Sequence, residues 1–86
     1  MFVIVTYDVS SKRVQRVLRI CRRYLTRVQN SVFEGNITES KLAELKRELA
    51  KVVVPDHDGV RIYEMASVRY ASLELLGKVK EVERIL

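Results

Sequence analysis

An α+β fold, with two helices on one face of a four-stranded antiparallel sheet, is predicted by three observations. The 86 residues arrange short apolar runs and two helical periodicities in the order strand, helix, strand, strand, helix, strand. Turn formers punctuate that order at Asp8-Val9-Ser10-Ser11, at Asn30-Ser31 and at Pro55-Asp56-His57-Asp58-Gly59. A hydrophobic content of 48% supplies the apolar surface for one small core.

Phe2 to Tyr7 is apolar on both alternating faces, which places this strand in the middle of the sheet. Asp8 ends it, and Ser10 or Ser11 is positioned to N-cap the first helix. From Lys12 to Leu25 the apolar positions are Val14, Val17, Leu18, Cys21, Tyr24 and Leu25. Their spacing of i, i+3, i+4, i+7, i+10 and i+11 marks one helix face. Cys21 lies on that stripe, so a buried structural thiol is expected. Thr26 to Gln29 and Ser31 to Ile37 read as two strands around Asn30-Ser31, with one bent strand as the alternative. Thr38 caps a second helix of about 14–16 residues, with Leu42, Leu45, Leu49 and Val52 or Val53 on one stripe. The Pro55 to Gly59 turn breaks the chain, and Val60 to Ala66 supplies the fourth strand. Tyr70 to Leu76, ending at Gly77, reads as a further strand, while Lys78 to Leu86 suits two helical turns or a short strand.

That order is the split βαβ, or ferredoxin-like βαββαβ, arrangement with an additional C-terminal strand. The extra strand has no place in a four-stranded sheet, so it is expected to extend an edge or cross to a second protomer. The chain reads as a single domain over 1–86, with its core at about 1–66 and a dimer-associated extension at about 67–86. A domain of this size buries only about 60–65% of its unfolded surface, and a homodimer adds core cheaply.

One cysteine excludes an internal disulfide and a cysteine metal cage. Phe2-Val3-Ile4-Val5 is the longest apolar run, far short of the roughly 20 residues a bilayer span needs. It has no basic n-region and no small-residue cleavage site. A soluble protein of the reducing cytoplasm, without a membrane partner, is expected.

Sixteen basic and eleven acidic residues leave a net charge of +5. The excess is one local block: Lys12, Arg13, Arg16, Arg19, Arg22, Arg23 and Arg27, with Asp8 as the one acid among residues 1–27. Helical geometry sets Lys12, Arg16, Arg19, Arg22 and Arg23 opposite the apolar stripe, and Arg13 at its border. Arginine suits phosphate because its planar fork donates two parallel hydrogen bonds. A solvated helix face is the plain reading. The absence of any acid from Val9 to Val32 favours contact with nucleic acid or another polyanion.

Asp8 is the leading candidate for chemistry, because it emerges where a central strand ends and a basic helix begins. An acid before Ser10-Ser11 also serves as a turn or cap residue. One carboxylate alone is a poor magnesium site. A dimer axis near the strand end would bring two copies of Asp8 to one hydrated Mg²⁺ or Mn²⁺.

Val5-Thr6-Tyr7-Asp8-Val9, the arginine-rich first helix and Arg27-Val28-Gln29-Asn30-Ser31-Val32-Phe33-Glu34-Gly35 together resemble the CRISPR-associated Cas Two family. The likeness covers about residues 1–66, and Leu73-Glu74-Leu75-Leu76-Gly77 is similar to that family's swapped strand. The resemblance implies a ferredoxin-like homodimer with Mg²⁺- or Mn²⁺-dependent endonuclease activity on RNA or DNA. It also implies a bridging role between two dimers of the Cas One integrase in spacer acquisition. By that resemblance Asp8 is the metal-linked aspartate and Arg27 and Phe33 are positions tied to activity. Family arginines of the first helix correspond loosely to Arg13 and Arg16. The chain after Gly77 departs from the family pattern.

Nuclease and DNA-bridging scaffold both remain open on these residues. His57 sits in a turn and reads as an exposed loop residue. Asp56-x-Asp58-Gly59 matches only a fragment of a calcium loop. An RNA-recognition domain shares the element order, but the strand Ser31 to Ile37 carries one aromatic and an acid where that domain stacks bases. A toxin-type ribonuclease is the runner-up, by fold analogy alone.

Overall fold

Residues 1–65 are described by a computed structural model of the chain. They form β1 (Phe2–Asp8), α1 (Val14–Arg22), β2 (Thr26–Gln29), β3 (Val32–Asn36), α2 (Glu39–Val52) and β4 (Gly59–Met65). Neighbouring strands pair antiparallel in the order β2-β3-β1-β4. This is the ferredoxin-like sheet, with β1 between β3 and β4 as its two apolar faces require. The further strand expected at Tyr70 to Leu76 and the segment after Gly77 lie outside the described residues.

Val3, Val5 and Tyr7 of β1 and Phe33 of β3 point into the helix layer. There they pack on Val17, Leu18, Ile20 and Cys21 of α1 and on Leu42, Leu45, Leu49 and Val52 of α2. Ile20 is missing from the stripe read in the sequence, yet it is buried. Packing of α2 against that side of α1 widens the buried arc beyond a single stripe. Burial of Cys21 pushes its thiol up to about 12, which keeps it protonated and unreactive.

The other face of the sheet carries the alternate residues Phe2, Ile4 and Thr6, opposite Val32, Glu34, Arg61 and Tyr63 in register. Ile4 and Thr6 are buried there as well. Asp8 follows in the same alternation, opposite Gly59. Its side chain therefore leaves the strand on the face away from the helices.

The helix starts differ in kind. Thr38 caps α2 as expected, its Oγ1 accepting the Lys41 N–H at 3.2 Å. Neither Ser10 nor Ser11 caps α1: Arg13 holds that position without a side-chain capping bond to the helix. The chain turns earlier, and the Ser10 carbonyl accepts the N–H groups of Arg13 and Val14 at 2.8 and 3.0 Å. The Ser10 hydroxyl accepts the Lys12 N–H at 3.3 Å. Thr26 to Ile37 contains two strands, with β2 bulged between Arg27 and Gln29.

Candidate functional site

The C-terminal end of β1 gathers three connections. The Tyr7 N–H donates to the Ser31 carbonyl at 3.1 Å, which brings in the β2–β3 turn. Asp8 lies opposite Gly59, which brings in the loop after α2. The chain then leaves for α1. Asp8 is exposed, and among the described residues no hydrogen bond or ion pair engages its carboxylate. A free carboxylate on a rigid strand end can accept an external cation or donor.

Asp58 is neither a plain turn residue nor part of a calcium loop. Its Oδ2 accepts from Arg13 Nε at 2.6 Å and from the Val54 N–H at 2.8 Å. Its Oδ1 accepts from Arg13 Nη2 and from the Ser10 N–H, each at 2.9 Å. The Asp58 side chain is 0% exposed and that of Arg13 20%. With its lone pairs occupied, Asp58 is no cation ligand. Among the described residues no group of three or more His, Cys, Asp or Glu can hold a metal ion. The signal available in the sequence is an unmatched Arg13 at the border of its helix face and an acid in a distant turn.

The Arg13 guanidinium, then the Val54 and Ser10 amides, hold the Asp58 carboxyl well below the usual carboxylate range despite its burial. A carboxyl lowered in the folded state stabilises fully above its unfolded value, and that contribution is lost as pH falls. Urea midpoints of the wild type should therefore decline below about pH 4, and Asp58→Asn should show a shallower decline. Equal acid-side slopes in the two proteins would contradict this assignment.

Arg27 is exposed on edge strand β2. Its Nε and Nη2 donate to the Asn30 carbonyl at 3.3 and 3.1 Å, and the Tyr7 hydroxyl donates to the same oxygen at 3.4 Å. Burial, and next the Cys21 thiol, push the Tyr7 hydroxyl up against the opposing influence of Arg27 and Arg22, so it stays a donor. Phe33 is fully buried, its ring stacked on Tyr7 at a centroid distance of 6.2 Å. Phe33 thus reaches the strand end only through the packing of Tyr7.

Lys12, Arg16, Arg19 and Arg22 are exposed, and among the described residues none has an ion-pair partner. Arg13 is engaged by Asp58, and Arg23 by Glu48, which also accepts from the Tyr24 hydroxyl. A cleft of about 320 Å³ between α1 and α2 is lined by Arg16, Arg19, Arg23 and Lys51 beside Ile20, Val52 and Glu48. Lys51 is a cation from outside the block in the first 27 residues. The basic track occupies the helix layer, whereas Asp8 leaves the opposite face of the sheet. The two features are therefore separate surfaces of one domain. Among the described residues no helix is long and apolar enough to cross a membrane.

Residues 1–72 match the sequence model of the family described as CRISPR associated protein Cas2. The CRISPR-associated endoribonuclease Cas2 of Thermotoga maritima is 45% identical over 80 residues, covering 93% of this chain and 92% of that protein. The protein of the same name from Dictyoglomus turgidum is 43% identical over 77 residues, covering 90% of this chain and 88% of its own. A crystal structure of Cas2 superposes with a TM-score of 0.84 at 38% identity, covering 95% of this chain and 97% of that one. Cas2 of Streptococcus pyogenes gives a TM-score of 0.76 at 35% identity, covering 90% of this chain and all of that one. Sequence identity along nearly the whole length, with the same sheet and helices, leaves one conclusion: the chain belongs to the CRISPR-associated Cas2 family.

Proposed function

We propose that this chain acts in the cytoplasm as a homodimer that hydrolyses phosphodiester bonds of RNA or DNA with Mg²⁺ or Mn²⁺ held by two copies of Asp8. The observation that carries the reading is the exposed Asp8 carboxylate on the central strand, unpartnered among the described residues, in a chain whose curated relatives are named endoribonucleases. Asp8 supplies one carboxylate per chain at this strand end, whereas Mg²⁺ is commonly held by one or two carboxylates and keeps several waters. A symmetric pair of Asp8 side chains fits that demand. When bound, such an ion polarises the phosphodiester and lowers the pKa of its water.

The chain's own groups do the rest. Asp8 binds, and the rigid β1 pairing orients its carboxylate. Arg27 stands at the same end of the sheet, opposite Phe33 and so on its helix-facing side, where at the rim of edge strand β2 its charge favours a phosphate and its build-up of negative charge. The Asn30 carbonyl, holding Arg27 and Tyr7 together, sets the direction of that guanidinium. Phe33 acts as a packing support beneath Tyr7.

A second job is favoured by Lys12, Arg16, Arg19 and Arg22 on the helix layer, which have no ion-pair partner among the described residues. Doubled in a homodimer, they form a phosphate track suited to bridging Cas One integrase dimers on DNA. Cleavage is tested by incubating the purified dimer with single-stranded RNA or duplex DNA in Mg²⁺, Mn²⁺ or EDTA. Product should form with either ion, stop with chelator and return on adding metal. Cleavage that persists undiminished in EDTA would defeat the metal mechanism.

A further inference from the structure

The Asp8 side chain has no partner of its own among the described residues, so its placement depends on the backbone around it. Two anchors flank it closely, and both lead to Asp58. On one side Asp8 lies opposite Gly59, the residue after Asp58. On the other, the chain leaves the strand and two residues later the Ser10 N–H is fixed by Asp58 Oδ1 at 2.9 Å. The same carboxylate takes Arg13 through both Nε and Nη2 and secures its own loop through the Val54 N–H. An ordinary cap would bond the start of its own helix. Asp58 instead spans 45 residues to Arg13, joining the loop after β1 to the loop before β4.

We infer that Asp58 is a positioning residue for the Asp8 site: through Arg13 and the Ser10 amide it clamps the loop that follows β1 and so sets where the Asp8 carboxylate stands. Supporting groups of this kind fix a ligand's orientation without touching the ion, and their loss weakens metal binding. The inference rests on the proposed reading of Asp8 as the metal-binding group.

The test compares the purified full-length dimers of wild type, Asp8→Ala, Asp58→Asn, Arg13→Lys and Leu42→Ala. Leu42→Ala is a packing control near the start of α2. Binding of MnCl₂ is read from the loss of the free Mn²⁺ electron paramagnetic resonance signal, and cleavage is followed against Mn²⁺ concentration. Asp58→Asn, folded by circular dichroism, should bind Mn²⁺ about 10- to 100-fold more weakly, and saturating Mn²⁺ should recover much of its rate. Arg13→Lys keeps the charge but loses the fork, and should shift the same way; it decides the question if Asp58→Asn does not fold. Leu42→Ala should bind Mn²⁺ as the wild type does. Wild-type Mn²⁺ binding in folded Asp58→Asn, or an equal shift in Leu42→Ala, overturns the inference while the Asp8 reading stands. Failure of that reading looks different: Asp8→Ala would itself bind Mn²⁺ as tightly as wild type.

Discussion

Exchange of Asp8 for alanine is expected to lower phosphodiester cleavage by at least about 100-fold, more than a supporting residue would cost. In the proposed two-fold dimer both copies disappear with one substitution. Stability should move by no more than about 0.5 kcal/mol, since the side chain is exposed and makes no partner among the described residues. Binding to duplex DNA should be nearly unaffected, because the basic track lies on the helix layer, on the other side of the sheet. The reverse pattern is expected of Arg16→Glu combined with Arg19→Glu. DNA affinity should fall, with a salt slope shallower by about one for each phosphate no longer neutralised, while cleavage of a short saturating RNA persists. Comparing cleavage with salt-dependent DNA binding in both variants separates the two jobs. Full cleavage by purified Asp8→Ala would remove the catalytic role of this carboxylate. An unchanged DNA salt slope in the double charge reversal would move the nucleic-acid surface away from α1.

The largest stability effect is expected at Phe33. It is 0% exposed, lies opposite Val5 in the sheet and stacks on Tyr7. Phe33→Ala should cost about 3–5 kcal/mol, from lost burial and the cavity left behind. A small domain commonly has only about 5–15 kcal/mol in total, so this variant stands near the edge of folding. Phe33→Leu refills much of the space and should remain folded, with cleavage close to wild type per folded molecule. Denaturant titration beside cleavage assays decides the matter. Folded Phe33→Leu without cleavage would mean that the aromatic ring itself is needed, contrary to a packing role beneath Tyr7.

The elements most legible in the sequence are those governed by local rules. β1 is apolar on both faces and lies at the centre of the sheet. Thr38 stands before a run of helix formers and caps α2. Such signals need only the neighbouring residues. The start of α1 is less legible, because two serines compete for one cap and the Ser10 backbone carbonyl takes the turn instead. Ile20 escapes a single-stripe helix wheel, which allows for one neighbour, whereas α1 has both a sheet and a second helix against it.

Charge shows the same division more sharply. The arginine block is visible at once in the composition of the first 27 residues, but its members have different fates. Arg13 closes on Asp58 and Arg23 on Glu48, while Arg16, Arg19 and Arg22 have no ion-pair partner among the described residues. By itself the sequence determined the order of elements, the sign and place of the charge, and the exposed acid at the end of β1. Which cations are free, and what steadies the loop after Asp8, were decided only by tertiary structure. The reason is physical: periodicity and propensity act over a few residues, whereas a buried carboxylate is satisfied by whatever donors the fold carries to it from 45 residues away.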